Sequence, residues 1–159
     1  MTARSPWVLL AFRMPREPST PRIAVWRKLR QVGAAQLLDG LVALPFDRQN
    51  REQLDWIAQD IIDAGGEAKI WIGHASSADD ERELIETMRS AIATEYRRVV
   101  AEAEEASIQP PGRRRRSLAR LRRELRRVRA RDYFPPPERE AAQQAVEALG
   151  LSLEEVAPS

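Results

Sequence analysis

The chain has 159 residues, 43% hydrophobic and 31% charged, with no cysteine and a formal net charge of +2. That suffices for one packed domain with a helical appendage, and it excludes disulfides, thiolate nucleophiles and cysteine metal sites. No apolar run approaches the roughly 20 residues of a membrane-spanning helix, and the first residues lack the apolar stretch of a secretory leader, so a cytoplasmic protein is expected.

Trp7 to Phe12 is a short apolar run with prolines on both sides, long enough for a buried strand and too short for a helix. Met14 to Thr20 reads as a loop. Ser19 or Thr20 is the expected helix cap, Pro21 suits the first turn, and Gly33 ends the helix. Ala35–Leu38 and Leu41–Pro45 flank Asp39-Gly40, the signal of a type I′ hairpin. Asn50 is the expected cap of a second helix, lined by Leu54, Ile57, Ala58, Ile61 and Ile62 and stopped by Gly65-Gly66. Ala68 to Gly73 is the last strand. The order β-α-β-β-α-β is that of a ferredoxin-like, α+β domain: four antiparallel strands with both helices on one face. Trp7, Trp26, Trp56 and Trp71 each fall in one of these elements, and core packing explains them better than base stacking.

Beyond residue 76 the chain changes style. Ala78 to Ala106 lacks glycine and proline and carries apolar residues at helical spacing. Ile108 to Gly112 breaks the chain, and Ser117 to Arg131 is a second helix with a seam of Leu118, Leu121, Leu125 and Val128. That seam is expected to close on Leu84, Met88, Ile92 and Val99, within one chain or across a homodimer. A last helix, Pro137 to Leu149, is expected to end at Gly150, with Val156 to Ser159 frayed. The division is thus a sheet domain over residues 1–76 and a helical extension over 77–159.

The modest net charge hides a strong asymmetry. Residues 78–107 hold nine acids and four bases, a balance of −5. Residues 113–131 hold eleven arginines against Glu124 alone, a balance of +10. Arginines neutralise phosphates and release counterions, so a basic helix is a natural tracker of a duplex backbone. Pairing with the acidic helix is an equally physical use of the same residues, yet it leaves about five positive charges over, since surface pairs hold weakly. Arg113, Arg114, Arg115, Arg116, Arg123 and Arg127 are the candidate phosphate contacts here. A second basic group, Arg16, Arg22, Arg27 and Lys28, surrounds the first helix and can either hold phosphates or form a solvated face.

Enzyme chemistry lacks its parts. His74 is the only histidine, Ser76 and Ser77 have no visible triad partners, and no glycine-rich phosphate loop occurs. No cofactor, no metal and no catalytic residue is expected.

Several strings resemble the amino-terminal domain of the ChrB chromate-resistance regulators. They are Trp7-Val8-Leu9-Leu10, Pro18 to Leu29, Gly33-Ala34, Asp39 to Pro45, Gly65 to Ala68, and Arg129 to Phe134, spread from Trp7 to about Gly150. The resemblance implies a bacterial regulator of chromate-resistance operons, with this domain on DNA. Larger relatives carry a carboxy-terminal domain associated with chromate response; the chain stops where that domain would begin, and the resemblance leaves open a stand-alone form, a truncated form, or half of a split pair with a separate protein of that type as partner. The core is also similar to the central domain of PaaX-type repressors, which have a winged helix ahead of it, and to small CRISPR adaptation nucleases. Those nucleases place an acid at the end of the first strand, where this chain has Phe12-Arg13-Met14. The reading is a DNA-binding regulator or regulatory accessory; its rivals are a protein-interaction module that oligomerises through the helices and, more weakly, a degenerate nuclease.

Overall fold

The computed structural model describes residues 5–156. They form β1 (Trp7–Arg13), α1 (Ser19–Val32), β2 (Ala35–Leu38), β3 (Leu41–Pro45), α2 (Arg48–Asp63), β4 (Glu67–Gly73), α3 (Ala78–Ser107), α4 (Pro111–Ala130) and α5 (Glu138–Val156). Two compact units divide within α3, after Ile85.

In the first unit the strands make one antiparallel sheet in the order β2-β3-β1-β4. Side chains alternate between faces. Val8 and Leu10 therefore share a face with their partners Leu44 and Val42, and all four are buried. Phe12 has the same parity, and its ring meets Trp26 of α1 at 5.5 Å, so this is the helix-covered face. Val25 and Leu29 of α1 and Leu54, Ile57, Ala58 and Ile61 of α2 complete the core. On the other face, Trp7 and Leu9 line a hollow with Asp80 and Leu84 from the start of α3. The Trp7 indole N–H donates to Glu81 at 3.1 Å.

Local chemistry departs from expectation in three places. Neither Ser19 nor Thr20 caps α1: Pro18 stands at the cap without a side-chain bond, and both residues lie inside the first turn. Asp47, not Asn50, caps α2, accepting from the Asn50 amide at 2.6 Å; the Asn50 side chain is buried and donates to the Pro45 carbonyl at 2.9 Å. Asp and Asn are both good caps, and only three-dimensional context told them apart. The Asp39-Gly40 turn is present, but it is not type I′: among the described residues no residue other than glycine has positive φ, and Gly40 alone reaches φ 75°. A register shift falls between Gln36 and Leu38, just before the turn.

The expectation that all four tryptophans pack in the core is also corrected. Trp7 is buried and Trp26 half-buried, whereas Trp56 and Trp71 are 69% and 63% exposed.

The second unit holds the rest of α3 with α4 and α5 around one apolar core. Ile92, Tyr96, Val99, Ala103 and Ala106 face Leu118, Leu121, Leu125 and Val128, and α5 adds Ala142, Val146, Leu149 and Leu153. The expected α4 seam is therefore buried, but Leu84 belongs to the sheet unit and Met88 is only half-buried. α5 is a full third member of this core. It runs through Gly150 to Val156; residues 157–159, where fraying was expected, lie outside the described residues. α4 also starts earlier than expected, at Pro111, because proline's missing N–H costs nothing in a first turn.

Candidate nucleic-acid interface

Starting α4 at Pro111 makes Arg113 to Arg116 helical and places them in its first turns. In the first turn, where Arg113 and Arg114 lie, cations are disfavoured by the helix dipole, by about 0.3–1 kcal/mol each at exposed positions. With 3.6 residues per turn, Arg113, Arg116, Arg120, Arg123 and Arg127 form one row along the helix. Arg115, Arg122, Arg126 and Arg129 form a second row on the opposite flank of the seam. Small residues, Gly112, Ala119 and Ala130, lie between the rows on the outer surface. Arg113, Arg116, Arg120 and Arg123 line a shallow groove whose other wall is Glu102 and Glu105 of α3.

Part of this charge is used within the unit. Arg120 pairs with Glu102 at 3.0 Å, Arg127 with Glu124 at 3.4 Å, and half-buried Arg131 with Glu95. Arg114 is turned inward. Its guanidinium donates to the Gln109 carbonyl at 3.0 Å and to the Ser152 carbonyl and hydroxyl at 3.3 Å, joining the end of α3, the start of α4 and α5. Arg114 is thus a clamp, and Arg127 is already paired. Among the described residues, Arg113, Arg115, Arg116, Arg122, Arg123, Arg126 and Arg129 have no carboxylate partner. Arg122, Arg126 and Arg129 were not among the expected contacts; a helical wheel drawn from Pro111 would have found them.

The basic group of the first unit is less coherent. Arg16 is exposed in the loop before α1, and Arg22 is half-buried. Arg27 is exposed, but five residues from Arg22 it projects from a different side of the helix. Lys28 pairs with Asp60 at 2.5 Å and holds α1 to α2.

Two titrating groups are perturbed for structural reasons. Burial, and then the 2.7 Å bond from its hydroxyl to Asp132, push the Tyr96 pKa above the ordinary tyrosine range. The Ser76 hydroxyl, and then that of Ser77, lower the pKa of exposed Asp80. His74 is exposed just past β4, and Arg13 pairs with Glu67 at 2.9 Å. Among the described residues no three of His, Asp and Glu gather as a metal site, and no helix is long and apolar enough to cross a membrane.

A family model described as "Protein ChrB, N-terminal" matches residues 22–109, from the first turn of α1 to just past α3. The match leaves β1 and the arginine rows of α4 outside it. The protein named Protein ChrB of Cupriavidus metallidurans is 35% identical over 77 residues, which cover 48% of this chain and 23% of that protein. No solved structure matches. With more than half of its residues inside that family model, the chain belongs to the ChrB amino-terminal family.

Proposed function

We propose that this chain is a DNA-contacting regulatory module of chromate resistance in the bacterial cytoplasm, not an enzyme, and that the arginine rows of α4 form its phosphate-binding surface. The observation that carries this reading is the unpaired arginine surplus at the amino-terminal end of α4. Arg113 stands in the first turn, where the helix dipole opposes it, Arg115 and Arg116 follow in the second, and none of the three has a carboxylate partner among the described residues. A phosphate bound there gains from both the guanidinium groups and the helix end, which turns a local cost into binding energy. Arg16, Arg22 and Arg27 of the first unit are candidate additional contacts. The ferredoxin-like reading of the sheet domain is supported by the order β2-β3-β1-β4 and the β-α-β-β-α-β sequence of elements.

The Arg120–Glu102 and Arg131–Glu95 pairs favour a second reading, in which the charges only hold helices together. One comparison separates the two. Changing Arg115, Arg116, Arg122 and Arg123 together to Gln should weaken binding to duplexes of unrelated sequence alike, because phosphate contacts position without reading bases. Thermal stability should be kept. If wild type and variant bind duplex DNA equally in a fluorescence-anisotropy titration, the surface has another use.

A further inference from the structure

The sheet of the first unit has two edges, and only one carries the usual protection. Exposed edge strands invite pairing with other chains, and proteins blunt them by shortness, bulges, prolines or charges. β2 is four residues long and bears the register shift between Gln36 and Leu38. β4 is seven residues long, pairs with β1 without interruption from Glu67 to Gly73, and contains no proline. Lys69 and Glu67 are its only charges, and Glu67 is held by Arg13. Its second half exposes large apolar side chains: Trp71 at 63% and Ile72 at 47%.

We infer that the free edge of β4 is the interface with a second copy of this chain, the two β4 strands pairing antiparallel across a two-fold axis at Ile70. In an antiparallel ladder, opposed residues must share both their face and their hydrogen-bonding direction, so a two-fold axis falls on a residue and not between two. Ile70 is the midpoint of β4, and an axis there pairs the strand along its full length. Shifting the axis to Lys69 sets two ammonium groups opposite each other, and shifting it to Trp71 shortens the ladder.

With the axis at Ile70, Lys69 lies opposite Trp71 of the second copy, twice by symmetry. A lysine over an indole is a favourable cation–π pair, and cross-strand neighbours of this kind stabilise a sheet. Lys69, the one charge of β4 not held by a partner in an ion pair among the described residues, thereby becomes complementary to the exposed indole opposite it. On the helix-covered face, Ala68 lies opposite Ile72 of the second copy, a small residue facing a large one. Ile62 falls into the same arrangement. Its neighbour Asp60 is turned to α1 by Lys28, and Ile61 is buried beneath α2. Ile62 is therefore on the flank of α2 away from α1, where α2 lies over β4, and it is 49% exposed. This interface is independent of the DNA reading and could hold if that reading failed.

The chain lacks cysteine, so a single introduced thiol reports the register. Ile70→Cys should form an intermolecular disulfide under mild oxidation, and Trp56→Cys, exposed on α2, should not. Wild type should elute in light-scattering chromatography at twice the 18.1 kDa chain mass. The double variant Trp71→Lys, Ile72→Lys should elute at the single-chain mass with an unchanged far-ultraviolet circular dichroism spectrum. A monomeric wild type would overturn the inference. So would a dimer whose Ile70→Cys form does not cross-link, since that reads directly on the register even if the lysine variant fails to fold.

Discussion

Arg114 sits among four consecutive arginines, yet its guanidinium reaches from α4 to carbonyls of Gln109, in the turn before α4, and of Ser152 in α5, which water would otherwise have to serve. Bonds from a charged donor contribute about 1.5–3 kcal/mol. Arg114→Gln should therefore lower unfolding free energy by about 1–3 kcal/mol in a urea titration and leave DNA affinity nearly unchanged, whereas Arg115→Gln should do the reverse. Tyr96 makes a second residue-scale prediction. The folded chain holds its phenolic proton more tightly than the unfolded chain does. This stability is complete below the ordinary tyrosine pKa of about 10 and is lost as pH rises through and beyond that value. Thermal unfolding followed above that range should show a steeper alkaline loss in wild type than in Tyr96→Phe. At Gly40 the backbone has positive φ, and a Cβ would lie 2.4 Å from the Phe12 carbonyl oxygen, which cannot move without loosening β1. Gly40→Val should cost well over 1 kcal/mol, and an unchanged melting temperature would remove the turn from the account.

Elements were legible where periodicity was strong and obscure where a stop signal had two meanings. The apolar runs of β1 and β3 and the 3-4 spacing of Leu118, Leu121, Leu125 and Val128 matched the structure because burial is what periodicity records. Gly150 misled as a helix end. α5 continues through it, and its lack of a side chain instead fits the close passage of Leu118 and Arg122 of α4. A Cβ there would meet the flexible tip of Arg122 at 3.2 Å and touch Leu118 at 3.8 Å, an ordinary contact. Gly150→Ala should therefore stabilise the helix by about 0.5–1 kcal/mol; a glycine acting as a stop would give a loss. Pro111 misled in the opposite sense, since Pro-Pro-Gly reads as a break while Pro111 opens α4. The candidate site inherited that ambiguity: with the helix expected from Ser117, Arg113 to Arg116 had no assigned faces, and only a helix opened at Pro111 separates them into an inward clamp and two outward rows. Trp56 and Trp71 were invisible as surface residues because sequence shows an aromatic without showing which way it faces.

At the scale of the whole molecule, charge is distributed by element. The acidic α3 and basic α4 share one core, their few cross-pairs cancel only part of the difference, and the remainder lies along the outer surface of α4. Surface pairs of this exposure contribute about 0–1 kcal/mol each, so the fold does not require so many arginines. The family match ends before α4, so the surface proposed to meet DNA lies outside the matched residues. The salt dependence of duplex binding tests that surface most directly. For each phosphate neutralised, log affinity should fall by about 0.9 per log unit of salt. Several outward arginines therefore predict a slope of several units for wild type. The variant Arg115→Gln, Arg116→Gln, Arg122→Gln, Arg123→Gln should show a slope shallower by about 0.9 for each lost contact. A slope that is the same in both proteins, or no binding near 50 mM salt, the low end of the usual range, would contradict the account.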